Sequence, residues 1–126
     1  MTKILLVEDD PLEARLILPL LEREFGEVHR ATDAAEALCA LERADIAGQF
    51  KLVISGQRMQ GIGNPEFVAE LHARMPELLV LVLGTAGESP KNYFGENVEF
   101  LPRPLVPRQI VTAAGKMLSR DKSHAL

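Results

Sequence analysis

Two adjacent carboxylates, Glu8 and Asp9, close the apolar run Ile4-Leu5-Leu6-Val7, and Asp10 follows at once. Neighbouring carboxylates repel each other, so a fold that keeps them together should bring positive charge to them. Arg103, between Pro102 and Pro104, can do this, because a guanidinium holds a carboxylate through two parallel hydrogen bonds and reaches further than an ammonium. Arg58, in the loop Gln57-Arg58-Met59-Gln60-Gly61, competes for that role, or is simply a solvent-exposed loop residue. Two hydroxyls stand beside glycines, Ser55 before Gly56 and Thr85 after Gly84. Successive side chains on a strand point to opposite faces, so Ser55 should turn away from the space that Gly56 opens into, and Thr85 from that of Gly84. His29, His72 and His124 share no metal-site spacing and read as surface residues.

The elements that must position these groups alternate strand and helix. Ile4–Val7 has the continuous apolar character of a parallel strand covered on both faces. Asp10 is a helix N-cap, with Pro11 at the first helical position and Glu13 at capping-box spacing. That helix should run to about Phe25, with Leu12, Leu16 and Leu20 on one face, a kink at Pro19 and a stop at Gly26. Val28–Ala31 is a weak second strand, and Asp33 with Glu36 caps an alanine-rich helix that carries Leu38 and Leu41 and frays by Gly48. Lys51 to Ser55 is the third strand, running into a glycine-punctuated polar loop. Asn64-Pro65 opens a helix with Phe67, Leu71 and Met75 inward and Pro76 as its end. Leu79 to Leu83 is the fourth strand. Gly84-Thr85-Ala86-Gly87-Glu88-Ser89-Pro90 then leaves room only for a short fourth helix, around Lys91 to Phe94. Val98 to Leu101 is the fifth strand, and Pro107 starts a last helix with Ile110, Ala114 and Met117 at helical spacing. From Ser119 the chain is polar and should fray.

These signals imply a single doubly wound, five-stranded, mostly parallel α/β sheet with helices on both faces, in one domain over residues 1–119 followed by a polar tail, 120–126. A length of 126 residues suffices for a core, and 47% hydrophobic with 25% charged residues is ordinary globular composition. A net charge of -4 gives no footprint for nucleic acid. The longest apolar run, Leu78 to Leu83, is too short to cross a bilayer, and the N-terminus does not read as a signal peptide. The single Cys39 excludes an internal disulfide and reads as a buried thiol in a reducing compartment, so the expected location is cytoplasmic.

Three motifs at strand ends carry a family resemblance: Val7-Glu8-Asp9-Asp10, Gln57-Arg58-Met59-Gln60-Gly61 and Phe100-Leu101-Pro102-Arg103-Pro104. In this order and spacing the chain resembles, over essentially its whole length, the receiver domains of two-component response regulators, which have a flavodoxin-like fold. The resemblance implies that Glu8, Asp9, a phosphoacceptor aspartate and the backbone carbonyl of Arg58 would hold Mg2+. It further implies a hydroxyl residue ending the fourth strand, a lysine before a cis proline, and an aromatic on the fifth strand that changes rotamer. Of the phosphoacceptor, hydroxyl, lysine and aromatic positions, only the aromatic, Phe100, is kept. The phosphoacceptor position is Gly56, the hydroxyl position is Gly84, and the lysine is Arg103, ahead of Pro104. Phe100 without a phosphoryl trigger reads as packed core or surface.

The expectation is therefore a degenerate receiver-like domain that is not an enzyme and works independently of phosphorylation. It would bind other signalling proteins or a fused output domain, or pair with itself, and would not touch nucleic acid or membrane directly. No cofactor is required; any Mg2+ would be held weakly, by Glu8 and Asp9. A different class of function, a small-ligand sensor, would use the strand-end crevice that the missing aspartate enlarges.

Overall fold

The computed structural model describes residues 3–43, 50–56, 64–85, 88–93 and 95–124. In chain order these form β1 (Lys3–Val7), α1 (Pro11–Phe25), β2 (Val28–Ala31), α2 (Ala34–Glu42), β3 (Phe50–Ser55), α3 (Asn64–Arg74), β4 (Leu79–Gly84), a single 3-10 turn (Pro90–Asn92), β5 (Val98–Pro102) and α4 (Pro107–His124). All strand pairs are parallel and the order across the sheet is β2-β1-β3-β4-β5. Apolar runs take the middle of the sheet because both of their faces are covered; every residue of β4 is buried, whereas the edge strand β5 is only half-buried.

The alternation of side chains divides the core into two layers. Leu5, Val7, Val53, Val80 and Val82 pack under α2 and α3 against Ala37, Leu41, Phe67 and Leu71. Ile4, Leu6, Leu52, Ile54, Leu81 and Leu83 pack on the other face against Ile17 and Leu21 of α1 and Ile110, Ala114 and Met117 of α4. Each fully buried aliphatic side chain of this kind contributes roughly 1.5–3 kcal/mol.

Caps fix where helices begin: the Asp10 carboxylate accepts from the Leu12 N–H at 2.9 Å and Asp33 from the Glu36 N–H at 2.8 Å. Gly26, at φ 89°, takes the left-handed region after α1, and its N–H closes on the Glu22 carbonyl.

Several expectations need correction. The buried stripe of α1 is Ala14, Ile17 and Leu21, while Leu12 and Leu16 are 68% and 62% exposed. The leucines share a stripe one residue out of phase with the one that meets the sheet. As expected, α1 continues through Pro19 to Phe25. Cys39 is exposed, because α2 buries Ala37, Ala40 and Leu41 and turns position 39 outward. His72 is half-buried rather than at the surface. The last helix runs past Ser119 to His124, and Arg120 is tied to Glu99 of β5 at 2.8 Å. The fourth helix is short, as expected: one 3-10 turn, capped by Ser89. Gly48, the 57–61 loop with Arg58, Gly87 and Phe94 lie outside the described residues.

Candidate functional site

The chain enters β2 on one side of β1 and β3 on the other, so the sheet order reverses beside β1, and open α/β sheets place crevices at the carboxyl ends of such strands. Backbone pairing sets the crevice: the Gly56 N–H donates to the Val7 carbonyl at 2.8 Å and the Glu8 N–H to the Ala31 carbonyl at 3.0 Å. Glu8 and Gly56 thus lie side by side at the reversal.

Arg103 comes to this crevice from the turn after β5. Its peptide to Pro104 is cis, and its side chain is 9% exposed. Nη1 donates to the carbonyls of Leu83 (2.8 Å) and Gly84 (3.1 Å), and Nη2 donates to the carbonyl of Gly56 (3.0 Å). The guanidinium therefore ties together the carbonyls at the ends of β3 and β4. Nη2 also lies 3.7 Å from Glu8 Oε1 and 3.7 Å from Glu13 Oε2. Both distances are charge contacts too long for hydrogen bonds.

Glu8 is fully buried. Its Oε2 accepts from the Asp10 N–H at 3.1 Å, and its Oε1 has no hydrogen-bond partner. Burial pushes its carboxyl up to about 7; the Asp10 N–H bond opposes this, the nearby charge of Glu13 adds to it, Arg103 opposes it and Asp9 adds to it. The backbone carbonyl of Glu8 is held from β2 by Arg30 Nη2 at 2.9 Å. Asp9, next in the chain, is half-buried.

Both glycines are places where other groups stand. A Cβ on Gly56 would lie 2.7 Å from Glu8 Oε1 and 3.2 Å from Leu83 Cδ1. A Cβ on Gly84 would lie 2.3 Å from two ring atoms of Phe100. The Phe100 ring occupies that space and stacks on Tyr93, with centroids 5.4 Å apart. The Tyr93 hydroxyl donates to Glu88 Oε2, and burial together with the Glu88 carboxylate raises its pKa. Glu88 Oε1 in turn accepts from the Thr85 N–H at 3.0 Å and from the Thr85 hydroxyl at 3.4 Å. The Ser55 hydroxyl points to the opposite face from the Arg103 side of the sheet and donates to Asn64 Oδ1 of α3 at 2.6 Å.

Mg2+ needs near-octahedral oxygen ligands at about 2.0–2.1 Å, and a ligating carboxyl must be ionised. Here the one uncommitted Glu8 oxygen faces a guanidinium, Gly56, just after the adjacent strand, carries no carboxylate, and no three His, Cys, Asp or Glu side chains among the described residues could hold a metal together. With Arg103 in place, the donor set does not fit the ion. The sequence singled out Glu8, Asp9, Gly56, Arg58, Gly84, Thr85, Phe100, Arg103 and Pro104; among the described residues the fold gathers Glu8, Gly56, Gly84, Phe100 and Arg103 around the strand ends, and Arg58 lies outside them. Glu13, Glu88 and Tyr93 were missed as site residues: Glu13 was legible only as part of a cap, and nothing in the spacing of Glu88 and Tyr93 marks them as partners.

No family model matches the chain. It is 29% identical, over 98% of its length and 53% of the relative's, to the transcriptional regulatory protein CpxR homolog of Haemophilus influenzae. Among solved structures, the receiver domain of the hybrid histidine kinase CckA is 28% identical with a TM-score of 0.75, over 92% of this chain and 98% of that one. A response regulator receiver domain protein from Clostridium thermocellum superposes with a TM-score of 0.80 at 22% identity, over 97% and 98%. The chain spans about half the length of the curated relatives it matches. Its five-stranded parallel sheet with helices on both faces is the flavodoxin-like receiver fold.

Proposed function

We propose that this receiver domain of the two-component response-regulator type signals without phosphorylation, by binding other proteins. Gly56 carries the reading. The position where the family resemblance places the phosphoacceptor has no side chain, and a Cβ there would press on Glu8 Oε1 at 2.7 Å. Neither neighbouring hydroxyl is a replacement, since Ser55 is buried against Asn64 and Thr85 is engaged with Glu88. A binding role, with no catalysis of its own, is supported by exposed apolar side chains. Leu12 and Leu16 lie one turn apart on α1, and Val106, 58% exposed, lies between Leu105 and Pro107, which line a small cavity together with Leu16. The partner is another signalling protein, a fused output domain or a second copy, reached without direct contact to nucleic acid or membrane.

Incubation with acetyl phosphate followed by mass spectrometry tests the reading. No phosphate is expected on the unmodified protein; a gain of one phosphate mapped to Ser55 or Thr85 would refute it. Gly56→Asp is expected to remain a poor acceptor, because Gly84 and Arg103 are unchanged. Loss of partner capture on Leu12→Glu would locate the binding face on α1, and unchanged capture would move it elsewhere. The small-ligand alternative has less support: Arg103 holds the strand-end carbonyls of Gly56, Leu83 and Gly84, and the adjoining cavity lined by Glu13, Leu16, Leu83 and Arg103 measures about 40 Å3, room for water rather than a metabolite.

A further inference from the structure

We infer that the Arg103 guanidinium is the resident cation of this crevice, that it keeps divalent metal out, and that removing its charge converts the crevice into a cation site. The geometry is that of a bound ion with its ligands. Three carbonyl oxygens, those of Gly56, Leu83 and Gly84, accept from Nη1 and Nη2 at 2.8–3.1 Å. Two carboxylates, Glu8 and Glu13, stand at 3.7 Å on the side of Nη2.

The second observation is Glu8 itself: it is fully buried, its Oε1 accepts no hydrogen bond, and Arg103 Nη2 lies 3.7 Å from that oxygen. When ionised, a carboxylate buried in this way needs a cation nearby. The arginine supplies it from within the chain, and its Nη1 and Nη2 take the strand-end carbonyls that a metal ion would otherwise use. Gly56 belongs to the same arrangement, since a Cβ there would lie 3.4 Å from Nη2 and 2.7 Å from Glu8 Oε1. The glycine leaves space for the carboxylate and the guanidinium to face each other.

The consequence is a crevice with one state. In a site that depends on a free ion, occupancy follows the ion's concentration; here the cation is tethered to β5 and cannot leave. Arg30, which donates to the Glu8 carbonyl at 2.9 Å, adds a further fixed positive group on the β2 side.

The test uses Mn2+ as a paramagnetic probe, read by broadening of the amide signals of Glu8, Gly56 and Gly84, with Mg2+ as competitor. The unmodified protein is expected to show no saturable broadening at those amides up to about 10 mM ion, a range in which weak carboxylate sites fill. Arg103→Ala and Arg103→Gln are expected to show saturable broadening that Mg2+ reverses, with affinity raised by about tenfold or more, because a unit charge about 4 Å from the ligand oxygen has gone. Arg103→Gln keeps an amide that can donate to one of the strand-end carbonyls, so it decides the matter should Arg103→Ala fail to fold. Saturable, Mg2+-reversible broadening in the unmodified protein would overturn the inference, as would its absence in a folded variant. The phosphate mass measurement is separate: phosphorylation of the unmodified protein would remove the functional reading and leave this one standing.

Discussion

Replacing Glu8 by glutamine should make the protein more stable at alkaline pH and change its pH dependence. Glu8 is fully buried and its carboxyl is raised from 4.5 to about 7, chiefly by desolvation. A carboxyl raised on folding favours the neutral form in the native state, so its contribution to stability is fully present below about pH 4.5 and is lost as the pH rises to about 7. At about 1.4 kcal/mol per pH unit, the loss between pH 4 and pH 8 is about 3 kcal/mol. Glutamine keeps an acceptor for the Asp10 N–H and has no charge to desolvate. The difference in unfolding free energy between Glu8→Gln and the unmodified protein should therefore shift in favour of the variant by about 3 kcal/mol from pH 4 to pH 8. Urea denaturation at both pH values, with m unchanged, measures it. A difference independent of pH, or a variant less favoured at pH 8 than at pH 4, would show that the attraction of Arg103 at 3.7 Å outweighs the cost of burial and would refute the reasoning.

Gly84→Ala should drive the Phe100 ring out of the space it fills, since a Cβ there would lie 2.3 Å from that ring; overpacking of this kind costs about 1–3 kcal/mol, and loss of the ring-current contact between Phe100 and Tyr93 in the NMR spectrum would report it. An unchanged Tyr93 environment would show that the ring does not depend on the glycine. Leu21→Ala should destabilise by about 2–5 kcal/mol whereas Leu16→Ala, 62% exposed, should stay within about 0.5 kcal/mol. Similar values for the two in urea titrations would contradict the assignment of the buried face of α1.

Much of the fold is written locally. Continuous apolar runs at 4–7 and 79–83 can only be satisfied by cover on both faces, and side-chain oxygens at Asp10 and Asp33 stop the chain from fraying at helix starts, so strands and helix beginnings follow from composition and near-neighbour chemistry. That Gly56 and Gly84 bring no side chain to the strand ends is equally legible, because an absent side chain is a fact of sequence. Periodicity could not say which stripe of α1 meets the sheet: the Leu12–Leu16 stripe and the Ala14–Ile17–Leu21 stripe both have helical spacing, and the packing of α1 against β1 and α4 chose the second. The same holds for Cys39, placed outward by the neighbours that α2 buries.

The partners of Arg103 belong to the tertiary structure alone. Charge complementarity in the sequence points it at a carboxylate, yet its hydrogen bonds go to carbonyls 19, 20 and 47 residues away. Those oxygens come within reach of one guanidinium only because parallel strands β3 and β4 end side by side next to the turn after β5. Burial of Glu8, and the use of the Gly84 void by Phe100, have the same origin. Each depends on the register of strands far apart in the chain, which no local pattern records.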